Sequence, residues 1–84
     1  MPFYTYILFS ASLDKFYIGS TGDSLKERIR KHNTNHGGFT AQANDWEVLY
    51  SEEFLDKTLA LKREKEIKSW KSRKRIQYLI QSTK

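Results

Sequence analysis

The chain predicts an α+β fold, a small three-stranded antiparallel sheet flanked by helices in the order ββαβαα. Three features predict it. Two short β-branched and aromatic runs, Phe3 to Phe9 and Phe16 to Gly19, are separated by a polar stretch of loop length. A further apolar run, Trp46 to Tyr50, stands apart from them. Stretches of helix-forming residues follow the capping signals at Ser24 and Asp56.

The first run, Tyr4, Tyr6 and Leu8 alternating with Phe3, Thr5, Ile7 and Phe9, is apolar on both faces, as a strand covered from both sides is. Ser10 to Lys15 interrupts it, and Phe16-Tyr17-Ile18-Gly19 resumes strand character, so the two pair most simply as a hairpin, with Gly19 ending the second strand. Ser24-Leu25-Lys26-Glu27 fits a capping box, with Ser24 accepting from the Glu27 amide while the Glu27 carboxylate reaches back. That helix should run from about Leu25 to about His32 and stop at the turn cluster Asn33-Thr34-Asn35-His36-Gly37-Gly38. A second helix, capped by Asp56, should continue to about Trp70. A short terminal helix over Lys74 to Gln81 would turn Ile76, Leu79 and Ile80 inward.

At 84 residues there is room for one domain and one core. Two Trp, five Tyr and five Phe supply the bulk that so short a chain needs. The absence of Cys excludes disulfides, thiolate metal sites and a cysteine nucleophile, and points to a reducing, cytoplasmic setting. The N-terminal apolar run is too short for a signal sequence or a membrane span, so no membrane partner is expected. A formal charge of +5 favours a polyanionic partner. Eight of the fifteen basic residues lie between Lys62 and Arg75, either as a solvated helix face or as a grip on that partner.

Three groups break the hydrophobic pattern. Leu25, Arg28, Ile29 and His32 share one face of the first helix, so Arg28 and His32 project from the core's edge, either snorkelling and hydrogen-bonding there or serving a site. Leu59, Ala60, Ile67 and Trp70 draw the inner face of the second helix, and Glu64 falls among them. An inward carboxylate needs a cation or hydrogen bonds, with Arg28 or Arg63 as the structural candidates. Glu66, on the other side, can pair with Lys62 or stay solvated. Tyr4, Tyr6 and Tyr17 can line one face of the hairpin, as packing or as a source of hydroxyls.

Together these residues resemble the GIY-YIG nuclease family. Tyr4-Thr5-Tyr6 stands where the first motif would be, and Tyr17-Ile18-Gly19 reproduces the second. Arg28 follows on the capped helix with His32 one turn beyond, and Glu64 lies in Ala60-Leu61-Lys62-Arg63-Glu64-Lys65-Glu66-Ile67-Lys68-Ser69-Trp70. The likeness is to the small, single-domain bacterial members, related to the N-terminal nuclease domain of the excision-repair incision subunit, and spans nearly the whole chain. The first motif lacks the Gly and Ile of the family name, and no Asn follows the Glu helix, where many members have one.

The resemblance implies a GIY-YIG fold and a metal-dependent endonuclease acting on DNA, in a DNA-repair setting, with little sequence specificity. The alternative is a nucleic-acid-binding module of the same fold that cuts weakly or not at all. Glu64 would hold one Mg²⁺ (or Mn²⁺), an ion that keeps most of its waters, and Arg28 would pair with the phosphate. Tyr6 would take the proton from water, helped by the metal and by Tyr17 or His32, because free Tyr titrates near ~10; the roles of Tyr17 and His32 can exchange. Gly19 would let the backbone turn closely beside the site, and Lys62, Lys65, Lys68, Lys71, Arg73, Lys74 and Arg75 would hold flanking phosphates. Oligomeric state does not follow from the sequence, and a monomer is the default expectation.

Overall fold

A computed structural model describes residues 2–34 and 42–82. The elements are β1 (Phe3–Ser10), β2 (Lys15–Thr21), α1 (Leu25–His32), β3 (Trp46–Phe54), α2 (Lys57–Ser69) and α3 (Arg73–Ser82). The sheet is antiparallel with the order β2-β1-β3, which gives the predicted α+β fold in the ββαβαα order. Of the predicted turn cluster, residues 35–38 lie outside the described residues.

β1 is central because it can be covered on both faces: Thr5, Tyr6, Ile7 and Leu8 are all buried. Ile7 faces α2 and α3 and packs with Tyr50, Ile67, Ile76 and Ile80, and Leu79 packs against them, as the inner face predicted for α3 requires. Tyr6 and Leu8 face the opposite way, against Trp46, Tyr17, Leu25, Ile29 and Val48, beneath α1. β3 serves both cores through a bulge. Ile7 pairs with Tyr50 but Leu8 pairs with Val48, so Leu49 is the extra residue and Tyr50 swings to the Ile7 side while Trp46 and Val48 stay on the other. Ile67 is fully buried, and Ile67→Ala should cost about 2–5 kcal/mol, read as a shift in the chemical denaturation midpoint.

The sequence reading needs four corrections in the fold. β3 continues past Tyr50, because Ser51 to Phe54 pair with Tyr6 to Phe3 of the central strand. β2 continues past Gly19, because Ser20 and Thr21 complete the ladder opposite Thr5 and Tyr4. Leu59 does not belong to the inner face of α2: the stripe against the sheet is Ala60, Glu64 and Ile67, and Leu59, about 100° round the helix from Ala60, is 50% exposed. The Glu27 carboxylate bonds Arg30 at 2.9 Å, so of the predicted capping box the Ser24 half is the one described, with its Oγ accepting from the Glu27 N–H at 3.2 Å.

Candidate active site

Tyr6 and Gly19 are direct partners across β1 and β2. A Cβ on Gly19 would lie 2.6 Å from the Tyr6 hydroxyl, 2.8 Å from its Cζ and 3.1 Å from Tyr17 Cε2. The missing side chain is therefore what lets the Tyr6 ring lie across β2, which no strand among the described residues covers on its outer side. Tyr17, opposite Leu8, stands on the same face.

α1 crosses this face. Its far end is tied to β3 by Asn33, whose amide donates to the Trp46 carbonyl at 3.0 Å and accepts from the Trp46 N–H at 2.8 Å. That two-way bond sits one residue beyond His32 and sets its depth. The Tyr6 hydroxyl lies 3.0 Å from His32 Nε2, and Arg28 Nε donates to it at 3.3 Å. The Tyr17 ring packs on the His32 ring at 5.2 Å between centroids. Arginine can only donate, so the phenol oxygen accepts from Arg28, and its own proton is directed to His32 Nε2 in the tautomer that leaves Nε2 unprotonated.

Burial lowers the His32 pKa below the ordinary value, and the Arg28 charge lowers it further, so the ring is neutral near pH 7. Burial raises the Tyr6 pKa; the Arg28 hydrogen bond and charge oppose the rise, and the charges of Tyr17 and Glu64 add to it. Tyr6 is thus a neutral phenol in the resting protein.

Glu64 approaches from the other face of the sheet. Buried Thr5 donates to the Ala60 carbonyl at 2.7 Å and fixes α2 one turn before it. The Glu64 carboxylate accepts from Ser20 Oγ at 2.6 Å and from Lys68 Nζ at 2.6 Å, and its side chain is 16% exposed. Ser20 follows Gly19 directly and points to the opposite face, as strand alternation requires. The phenol and the carboxylate therefore stand on either side of the edge strand at neighbouring residues. They are close enough for the Glu64 charge to act on Tyr6.

The partners differ from those the sequence suggested. Glu64 pairs with Ser20 and Lys68, whereas Arg63 binds Glu52 at 2.8 Å and Glu66 at 2.8 Å. Glu66 thus has Arg63 as its partner and not Lys62. Among the described residues Arg28 makes no ion pair, and its bond runs to Tyr6. Tyr50 donates to Glu52, and burial followed by that bond pushes Tyr50 up to about 12. A strand that ends at Gly19 leaves Ser20 out of the expected site. The sequence reading gives Lys68 only as a phosphate contact, although it stands four residues after Glu64, the favourable ion-pair spacing.

The basic residues divide by environment. Lys62, Lys65 and Lys74 are exposed. Lys71 occupies the turn between α2 and α3 with φ 49. Arg73 donates to the Asp14 carbonyl at 2.9 Å and to its carboxylate at 2.5 Å, and Arg75 lies 4.5 Å over the Trp70 ring.

Residues 2–77 match the family model described as the GIY-YIG catalytic domain. The chain belongs to the GIY-YIG family. Comparison with curated proteins and with solved structures returns no match. Membership gives the GIY-YIG domain a nuclease-type ancestry, a nucleic-acid substrate class and a general dependence on divalent metal. No helix among the described residues is long and apolar enough to cross a membrane.

The donor set can be tested against such a metal. No group of three or more His, Cys, Asp or Glu converges among the described residues. A lone carboxylate with a hydroxyl 2.6 Å away still fits a hard ion that retains waters and takes phosphate oxygens, which is how Mg²⁺ binds.

Proposed function

We propose that residues 1–84 act as a single domain, a metal-dependent endonuclease hydrolysing DNA phosphodiester bonds with little sequence specificity. The observation that carries this reading is the hydrogen-bonded set Arg28, Tyr6 and His32, at 3.3 and 3.0 Å, with Glu64 across the Gly19–Ser20 edge. A phosphate lying over that edge meets a cation, a proton acceptor and a carboxylate together.

Hydrolysis needs a nucleophilic water, neutralisation of charge at phosphorus and a path for the proton. Arg28 commits Nε to Tyr6, and its remaining N–H groups donate to non-bridging phosphate oxygens. Tyr6 accepts the proton of the attacking water and passes its own to His32 Nε2, so no free phenolate need form. Tyr17 holds the His32 ring in place through their packing. Glu64, held by Ser20, would bind Mg²⁺ or Mn²⁺, which supplies Lewis acidity and lowers the pKa of coordinated water. Lys62, Lys65, Lys71, Lys74 and Arg75 contact flanking phosphates without reading sequence, and Lys68 and Arg73 can join them on leaving their intramolecular carboxylates. Action on DNA in the cytoplasm as a monomer, with DNA repair as the setting, completes the proposal.

A nicking panel tests it. Wild type with Mg²⁺ should cut supercoiled and branched DNA, and Arg28→Ala should not. A protein that binds DNA but cuts no substrate would instead be a binding module of the same fold.

Two further outcomes follow from the geometry. The lowered His32 pKa favours the neutral ring in the folded state, so both folding stability and proton acceptance are full above the unfolded value near ~6.5 and are lost as pH falls through the lower folded value. Single-turnover cleavage should therefore show an acid limb with its midpoint below ~6.5, absent in His32→Gln. Lys68 competes with a metal for Glu64 Oε2, and a partly exposed ion pair is worth about 0.2–1 kcal/mol. Lys68→Gln should lower the Mg²⁺ concentration that half-saturates thermal stabilisation by about 1.4- to 5-fold.

A further inference from the structure

α3 adds a second feature on the α2 side of the sheet. Trp70, Lys74, Arg75, Tyr78, Leu79 and Ser82 line a groove of about 510 Å³. Its floor is apolar, from Trp70 and Leu79, which also pack against the core. Guanidinium groups lie over Trp70, Arg75 at 4.5 Å and Arg63 at 5.7 Å from the ring centroid. Tyr78 is different: the residue is 74% exposed, on a helix whose aliphatic residues turn inward.

Charge narrows the occupant. From Ile67 to Ser82 the sequence holds five cations, Lys68, Lys71, Arg73, Lys74 and Arg75, and no Asp or Glu. A second copy of this chain would bring the same positive surface against itself, so a self-complementary contact here is opposed by charge. A polyanion is favoured. Phosphate alone does not account for an exposed phenol ring and an apolar floor, whereas a nucleobase does, because every base has a π-face that stacks on an aromatic side chain. Within a duplex those faces are covered by neighbouring pairs, so only an unstacked base can offer one.

We propose that this groove receives an unpaired base of the bound DNA, stacked on Tyr78, with Lys74 and Arg75 at the adjoining phosphates. The proposal rests on the nucleic-acid reading above and deepens it by naming the substrate class: DNA interrupted by an extrahelical or single-stranded nucleotide. Trp70, the C-cap of α2, lies six residues beyond Glu64, about 9 Å along the helix axis, so the groove and the carboxylate belong to the same helix.

The test uses the intact protein in metal-free buffer, where DNA is bound and not cut. One probe is a short duplex with a single extrahelical 2-aminopurine, and the other is the same duplex fully paired. Wild type should bind the first more tightly and quench its fluorescence. Tyr78→Ala should abolish the quench and weaken that complex roughly ten-fold while leaving the fully paired duplex unchanged, and Tyr78→Phe should behave as wild type. Tyr78→Ala that keeps the quench, or that weakens both complexes equally, overturns the stacking site. Wild type that binds both duplexes equally overturns it while leaving the nuclease reading intact; wild type that binds neither overturns both.

Discussion

Glu64→Gln is expected to reduce DNA cleavage at least ~10³-fold while leaving the fold in place. The amide keeps the size of the carboxylate, and its oxygen can still accept from Ser20 Oγ, so α2 keeps its seat on β2. What is lost is the negative charge, and with it the anionic oxygen pair that Glu64 offers a divalent ion. The Lys68 ion pair also disappears, but at about 0.2–1 kcal/mol it moves the melting temperature of a chain this size by no more than about 8 °C. Nicking of supercoiled DNA, with thermal melting alongside, separates the two effects. A large drop in stability with matching loss of activity would make Glu64 a structural acid instead.

Gly19→Ala should damage both the fold and the site. The added methyl meets the Tyr6 hydroxyl and Cζ at 2.6 and 2.8 Å, and Tyr6 is no flexible tip: it is 1% exposed and bonded to Arg28 and His32. Overpacking of a filled position costs typically about 1–3 kcal/mol, which lowers the melting temperature by roughly 5–20 °C. Pushing the phenol away from β2 also breaks the 3.0 and 3.3 Å contacts, so cleavage should fall at least about ten-fold even where the protein is fully folded. Gly22→Ala is the control. Its methyl meets the Phe3 ring at 3.1 and 3.3 Å, away from the hydrogen-bonded set, so whatever it does to stability, the folded protein should keep the wild-type cleavage rate.

Much of this architecture is legible in the chain because local and tertiary preferences coincide. β1 reads as a two-sided strand, and it is the central one. Ser24 and Asp56 start α1 and α2 through the predicted cap bonds, with Asp56 accepting from the Thr58 N–H at 2.7 Å. The inward faces of Arg28, His32 and Glu64 follow from helical spacing alone. What was not legible depends on register between distant segments. Ser20 and Glu64 meet across 44 residues, a contact that exists only once Thr5 has set α2 against β1. The bulge at Leu49 leaves no mark in a run of strand formers, yet it decides which core Tyr50 enters. Ser20 and Thr21 escape a reading by apolar pattern for a simpler reason: on an edge, polar residues complete a ladder as well as apolar ones do.

Groups on opposite faces of the sheet act on one phosphodiester only if their contributions are coupled across the edge. Single-turnover nicking by Tyr6→Phe, Glu64→Gln and the double variant measures that coupling. Tyr6→Phe alone should cost about 10²-fold and Glu64→Gln about 10³-fold, and the double variant should be no slower than Glu64→Gln, as residues working as a unit behave. Losses that multiply to about 10⁵-fold, or a Tyr6→Phe protein that cuts at the wild-type rate, would contradict a shared site at Gly19 and Ser20.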